Sequence, residues 1–85
     1  MILPTEMHSL LASAFPDAEI DVADLSELHN NYRLRVVSSR FEGKSISEQH
    51  HLVYRALGDV VDGEIQALGL ITYSPTDWNR LRRAS

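Results

Sequence analysis

RFEGKSISEQHHLVY, residues 40–54, ends one predicted strand, turns at a glycine and opens the longest predicted helix. Ser45 is followed three residues later by Glu48, a spacing that lets each side chain satisfy a free backbone donor at the helix start. We therefore expect this helix to begin at Ser45. An apolar stripe at helical spacing follows and predicts burial against a sheet. Its members are Ile46, His50, Val53, Leu57 and Val60/Val61.

The composition predicts one small domain covering residues 1–85, with 44% hydrophobic residues. The chain has no cysteine, which excludes a disulfide, a thiolate metal site and a cysteine nucleophile. No apolar run approaches the roughly 18 residues of a membrane span, and the first residues lack a basic leader. We expect a soluble cytoplasmic protein that does not enter a membrane. The formal charge of −4 argues against affinity that comes mainly from a general attraction to phosphates.

The N-terminal half predicts a helix and an antiparallel strand pair. The helix covers residues 5–15 and is stopped by Pro16, and a first, edge strand covers residues 18–25. The polar segment 26–31 predicts a hairpin loop. The second strand has the clearest alternation of the chain, with Tyr32, Leu34 and Val36 on one face and Arg33 and Arg35 on the other.

The C-terminal half predicts a strand and a short helix. Asp62-Gly63 is a typical helix stop, and residues 64–73 are apolar on both faces, as in a well-covered strand. Ser74 and Pro75 then predict a new helix start. We expect Tyr54, Trp78 and Leu81 to point inward. The patterning alone predicts the α+β class, with the order α-β-β-α-β-α.

No catalytic arrangement is apparent, because the sequence has no nucleophile–base spacing and no glycine-rich phosphate loop; we expect a protein that is not an enzyme. His50 and His51 point about 100° apart on a helix, which disfavours joint binding of one metal ion. His50 fits a hydrogen-bonded structural role on the apolar stripe. His51 and the loop residue His29 are freer, so a metal site completed by thiolates of another protein remains open.

Three segments together resemble the BolA family. They are RVVSSRFEGK at residues 35–44, QHHLVYRAL at 49–57 and IQALGLITYSPTDW at 65–78. The resemblance implies an α-β-β-α-α-β-α fold related to the type II KH arrangement, with a three-stranded mixed sheet packed on helices. It also implies a short turn over Lys44 to Gln49 before the main helix.

Members of this family partner with monothiol glutaredoxins and can share a two-iron, two-sulfur cluster with them, and some are linked to DNA binding and transcriptional control. The family's histidine ligand at the start of the last strand matches Gln66 here, and glutamine is a poor ligand for iron in such a cluster. In the first loop, His29 is the candidate for the second ligand, although strict alignment places Asn31 there. We expect weakened or absent cluster ligation.

The resemblance leaves two functions open: a glutaredoxin-binding adaptor, and a DNA-binding regulator that acts through the turn and helix of residues 43–55. Helix starts suit phosphates, and exposed cations can add to them. We expect the contact surface for a partner or nucleic acid to comprise Arg33, Arg35, Arg40, Lys44, Ser45, Gln49, His51 and Arg55. The expected oligomeric state is a monomer or a weak homodimer.

Overall fold

The computed structural model describes residues 3–25, 31–58 and 67–84. In these residues the chain forms three α-helices, three strands and one 3-10 helix. In order they are α1 (Pro4–Ala14), β1 (Glu19–Asp24), β2 (Asn31–Val37), the 3-10 helix (Ser39–Phe41), α2 (Ile46–Leu57), β3 (Ala67–Tyr73) and α3 (Pro75–Ala84). The predicted α+β class with a three-stranded mixed sheet is confirmed. None of the helices in the described ranges is long and apolar enough to cross a membrane.

The sheet has the order β1-β2-β3, so β1 lies at an edge, as predicted. β1 runs antiparallel to β2, with Glu19 opposite Val37. β3 runs parallel to β2, with Asn31 opposite Ala67. Parallel neighbours need a long connection, and α2 lies within the one that joins β2 to β3.

The core lies on one face of the sheet, between β2 and the helices α1 and α2. The alternation predicted for β2 is confirmed, because its apolar residues are buried and Arg33 is exposed. The buried cluster comprises Met7, Leu11, Phe15, Tyr32, Leu34, Val36, Phe41, Val53 and Leu57. Because alternate side chains point to opposite faces, Arg33 and Arg35 belong to the other, outer face.

Helix α3 packs on that outer face. Its Trp78 ring lies 5.4 Å from the Tyr73 ring, and the Arg35 guanidinium carbon lies 4.3 Å from the Trp78 ring centroid. Arg35 also forms an ion pair with Asp21, its register partner on β1. The sheet therefore separates α3 from α2.

The ends of α2 confirm one prediction and correct another. The Ser45 hydroxyl accepts a hydrogen bond from the Glu48 backbone N–H at 3.2 Å and donates one to Glu48 Oε1 at 3.1 Å. At the other end, Gly58 takes a φ of 63° and its N–H donates to the Tyr54 carbonyl at 2.9 Å. The helix thus ends at Leu57, whereas Val60/Val61 and the predicted stop at Asp62-Gly63 lie outside the described residues.

Two further expectations about this region are wrong. The short turn implied over Lys44 to Gln49 is absent, because α2 already begins at Ile46 and runs unbroken to Leu57. A 3-10 helix at Ser39–Phe41 lies before it. The buried stripe is also rotated: Ile46 is 60% exposed, whereas Gln49 is buried beside Val53 and Leu57. Ile46 remains in solvent because it occupies the first turn of the helix, at the margin of the core.

Two side chains expected to point inward are also exposed. Tyr54 is 40% exposed, since it lies on the side of α2 opposite the buried stripe. Leu81 is 47% exposed because α3 contacts the sheet through Trp78, one turn earlier. Trp78 itself is half-buried, as its contacts with Tyr73 and Arg35 require. The predicted cap of α3 is confirmed, because the Asp77 N–H donates to the Ser74 hydroxyl at 3.2 Å.

Candidate partner and nucleic-acid surfaces

The solvent side of α2 and the turn before it bring several predicted contact residues together. We define the α2 surface by its exposed polar and aromatic residues, which are Lys44, Ser45, Ser47, Glu48, His51, Tyr54 and Arg55. The turn depends on Gly43, whose φ of 72° favours glycine. This turn and the Ser45 cap set where the helix starts, and thereby the direction in which the predicted cations project.

An open cleft of about 600 Å³ lies along this surface. Its described lining consists of Lys44, Ser47, Glu48, His50, His51, Leu52 and Tyr54. The lining combines an ammonium, a carboxylate, two imidazoles and a phenol ring, beside partly buried Leu52. This mixture can hold a protein segment that supplies both an apolar group and hydrogen-bonding groups.

Gln49 does not belong to this surface, contrary to the sequence-based expectation. It is only 4% exposed, and its Oε1 accepts a hydrogen bond from the Thr72 hydroxyl at 2.6 Å. Its Nε2 donates to the Lys44 carbonyl at 2.9 Å. Gln49 therefore joins α2 to β3 and is unavailable to a partner. The regular four-residue spacing of Gln49, Val53 and Leu57 was the available signal for its burial.

The strand arginines also fall outside the α2 surface. Arg33 is exposed, but it projects from the outer face of the sheet, away from α2. Arg35 is held between Asp21 and the Trp78 ring, so its guanidinium is already engaged. The predicted combination of strand and helix cations is therefore divided by the sheet. Arg40 is exposed on the 3-10 helix, and its backbone N–H donates to the Ser38 hydroxyl at 3.2 Å.

A carboxylate that the sequence did not single out fixes the corner before α2. Asp17 accepts hydrogen bonds from the Ser39 hydroxyl at 2.6 Å, the Ser39 N–H at 2.8 Å and the Ser38 hydroxyl at 2.9 Å. The two bonds from Ser39, followed by that from Ser38, lower the pKa of Asp17 to about 2. This contact ties the end of α1 to the end of β2, and local patterning cannot reveal it.

A second carboxylate connects the same corner to α3. Glu42 Oε1 accepts a hydrogen bond from the Thr76 N–H at 3.3 Å. Hydrogen bonds from Thr76, and then from Ser74, lower the pKa of Glu42 below its usual value. The N-terminus of α3 is thus capped by Ser74 and Glu42 together, and its backbone donors are partly occupied.

The donor atoms of the described residues do not fit a metal cluster held by this protein alone. In the described ranges, no group of three or more histidine, cysteine or acidic side chains could hold a metal ion. The chain also has no cysteine. His51 is exposed and His50 is half-buried, while His29 and Gln66 lie outside the described residues.

Comparisons with known proteins support the resemblance. The family model described as "BolA-like protein" matches residues 11–77. The "DNA-binding transcriptional regulator BolA" of Escherichia coli is 27% identical over 89 residues, covering 96% of this chain and 85% of that protein. A bol-like protein from Babesia bovis has the same fold, with a TM-score of 0.87, 23% identity and coverage of 98% of this chain and 96% of that one. The BolA domain of SufE1 from Arabidopsis thaliana has a TM-score of 0.77 and 28% identity, covering 87% of this chain and 93% of that one.

Proposed function

The chain belongs to the BolA family, and from that premise we propose that it is a non-enzymatic adaptor that binds a monothiol glutaredoxin in the cytoplasm. We further propose that its iron–sulfur cluster ligation is weakened or absent. The observation that carries this proposal is Gln66, which stands where the family resemblance implies a histidine ligand. The protein itself is proposed to be a monomer or a weak homodimer, which light scattering at increasing concentration would test.

The α2 surface supports a role in binding a protein partner. Tyr54 is a large, 40% exposed aromatic side chain at the cleft, beside partly buried Leu52. Exposed tyrosines of this kind are common anchors of protein interfaces, because they combine a rigid apolar ring with a polar tip. Lys44 and His51 provide charge and hydrogen-bonding capacity at its margin. We therefore place the partner's main contact at this cleft.

Calorimetric titration with a purified monothiol glutaredoxin tests the adaptor proposal. Tyr54→Ala should weaken binding about tenfold, which is the loss expected for a modest interface anchor. Leu81→Ala is the matched control, since it removes another exposed apolar side chain from the opposite side of the sheet. Equal affinities for Tyr54→Ala and the unsubstituted protein would contradict the proposed contact surface. Absence of any binding by the unsubstituted protein would contradict the adaptor function.

Anaerobic reconstitution of the same pair tests the cluster proposal separately. The visible spectrum should show weak or no cluster bands for the unsubstituted chain, because Gln66 is a poor iron ligand and the chain has no cysteine. Gln66→His should strengthen those bands. A stable heterodimer with histidine-type cluster bands and Gln66 in place would contradict the proposal that cluster ligation is weakened or absent.

DNA binding through residues 43–55 is a second candidate function, favoured by two exposed cations, Lys44 just before α2 and Arg55 in its last turn. The name of the Escherichia coli relative records this activity for that protein. We expect weak, strongly salt-dependent association, because the formal charge of the chain is −4. In a titration at low salt, Lys44→Ala/Arg55→Ala should reduce binding. Undiminished affinity in that variant would count against this surface.

A further inference from the structure

The C-terminal helix has a charge opposite to that of the chain as a whole. α3 holds three arginines and one aspartate, whereas the chain has a formal charge of −4. Thr76, Asn79, Arg80 and Arg83 follow the i, i+3, i+4, i+7 pattern of a single helix face, and all four are exposed. We call these four residues the α3 ridge. They line a shallow hollow of about 370 Å³.

We propose that the α3 ridge binds the phosphate backbone of a nucleic acid. Two guanidinium groups one helical turn apart can each grip a phosphate through a pair of hydrogen bonds. The Asn79 amide adds an uncharged donor of the kind that commonly contacts phosphates. This proposal does not depend on the glutaredoxin proposal, and it uses a different surface from the second candidate function.

The chemistry of the ridge favours a polyanion over a folded protein partner. Protein interfaces are usually anchored by buried aromatic or aliphatic side chains. The ridge has none, because the apolar residues Trp78 and Leu81 lie on other sides of α3. Phosphate backbones need no such anchor, since their affinity comes from neutralised charge and released counterions.

Contacts already present leave the two guanidinium groups of the ridge available, whereas Thr76 is engaged by Glu42. Arg80 is 76% exposed in its side chain, and its ion pair with Asp77 is long, at 3.5 Å. Such surface pairs are weak and can exchange for a phosphate. The backbone donors at the start of α3 are engaged by Ser74 and Glu42, so the arginines of the later turns would carry the anion.

Helix electrostatics offers a purely structural role for part of the ridge. Arg82 and Arg83 lie in the last turn, where positive charge compensates the negative end of the helix dipole. That role predicts a change in stability and no change in nucleic-acid affinity. It also leaves Arg80 and Asn79 unexplained, because both lie earlier in the helix.

Fluorescence anisotropy with a labelled 20-base-pair DNA duplex tests the inference between 20 and 200 mM salt. In Arg80→Gln/Arg83→Gln, log affinity should fall less steeply with log salt. The magnitude of the slope should decrease by about 2, since each phosphate contact contributes about 0.9. Lys44→Gln/Arg55→Gln is the comparison variant, because it removes two positive charges from the surface of the second candidate function and so distinguishes the two sites. Arg80→Lys/Arg83→Lys should retain most of the slope, and circular dichroism should show the same helix content in every variant.

Each outcome decides the inference. A lower slope in the α3 variant with little change in the α2 variant supports the ridge. An unchanged slope in the α3 variant overturns it, and loss confined to the α2 variant assigns binding to the second candidate function. Displacement of the duplex by polyglutamate at equal charge concentration would overturn the nucleic-acid assignment in favour of acidic polypeptide.

Discussion

Helices α2 and α3 lie on opposite faces of the same sheet and are held there by different means. α2 buries Val53 and Leu57 in the main core and adds the hydrogen bond between Gln49 and Thr72. α3 contacts the outer face through half-buried Trp78, which meets Tyr73 and Arg35. Core burial stabilises a helix far more than one partly exposed aromatic contact does. The difference makes α2 part of the folding unit and α3 a more weakly anchored attachment.

The two helices also present different chemistry to solvent. The α2 surface has an aromatic side chain beside a cleft, whereas the α3 ridge has arginine, asparagine and threonine only. The first combination suits a protein partner and the second suits a polyanion. Because the sheet lies between them, a partner on one surface leaves the other accessible. Four measurements test this contrast.

Leu57→Ala should give the largest effect, a loss of about 2–5 kcal/mol in the free energy of unfolding. Leu57 is buried in the core cluster, and its truncation leaves a cavity between α2 and the sheet. Urea denaturation followed by circular dichroism measures the change. Ile46→Ala on the same helix should stay within about 0.5 kcal/mol, because Ile46 is mostly exposed. Similar losses in the two variants would contradict the observed orientation of α2.

Gln49→Leu should cost about 1–3 kcal/mol, because the buried Thr72 hydroxyl loses its acceptor. Adding Thr72→Val should recover much of that loss, since removal of both partners leaves no unsatisfied group. The two single variants and the double variant form a thermodynamic cycle, measured by urea denaturation. Additive losses in the cycle would show that the two side chains do not interact.

Trp78→Ala should cost about 1–2 kcal/mol, which is less than Leu57→Ala, because it removes one aromatic pair and one cation–π contact. Hydrogen exchange should show loss of protection in α3 with protection in α2 retained. Leu81→Ala, on the same helix but exposed, is the control and should change little. Loss of protection throughout the protein would mean that α3 belongs to the same cooperative unit as α2.

The sequence predicted much of the fold because many of its determinants are local. The Ser45 and Ser74 caps, the alternation in β2 and the apolar spacing of α1 each act over a few residues. The end of α2 was harder, because glycine is a common helix stop and the sequence has one at Gly58 as well as at Gly63. Gly58 takes the positive φ that ends α2. The family resemblance supplied the expected partners, which no local pattern could provide.

The candidate surfaces were predicted less well, because long-range contacts decide which polar residues are free. From the sequence Gln49 is expected at the surface, but its amide oxygen accepts a hydrogen bond from Thr72, 23 positions away. Arg35 is expected to be a free cation, but it forms an ion pair with Asp21 and a cation–π contact with Trp78. Glu42 reaches Thr76, 34 positions along the chain. Polarity alone cannot distinguish a solvated side chain from one that is satisfied by a distant partner.

Acid titration tests the smallest of the four effects, the hydrogen bonds that Asp17 accepts at the corner before α2. Folding lowers the pKa of Asp17 from 3.8 to about 2, so the folded state binds its proton less readily than the unfolded state does. The stabilisation is therefore complete above pH 4 and is lost as the pH falls towards 2. Because this carboxylate is exposed, solvent screening limits its contribution to under about 1 kcal/mol.

Thermal unfolding between pH 2 and pH 6 should therefore show a steeper loss of stability in the unsubstituted protein than in Asp17→Asn. The asparagine retains an acceptor for Ser38 and Ser39 but has no proton to gain in this range. Glu42→Gln is the companion variant, because Glu42 caps α3 as Asp17 ties the corner before α2. Asp17 is assigned to the corner before α2 and Glu42 to the start of α3. If hydrogen exchange shows that Asp17→Asn lowers protection only in α3, this assignment is wrong.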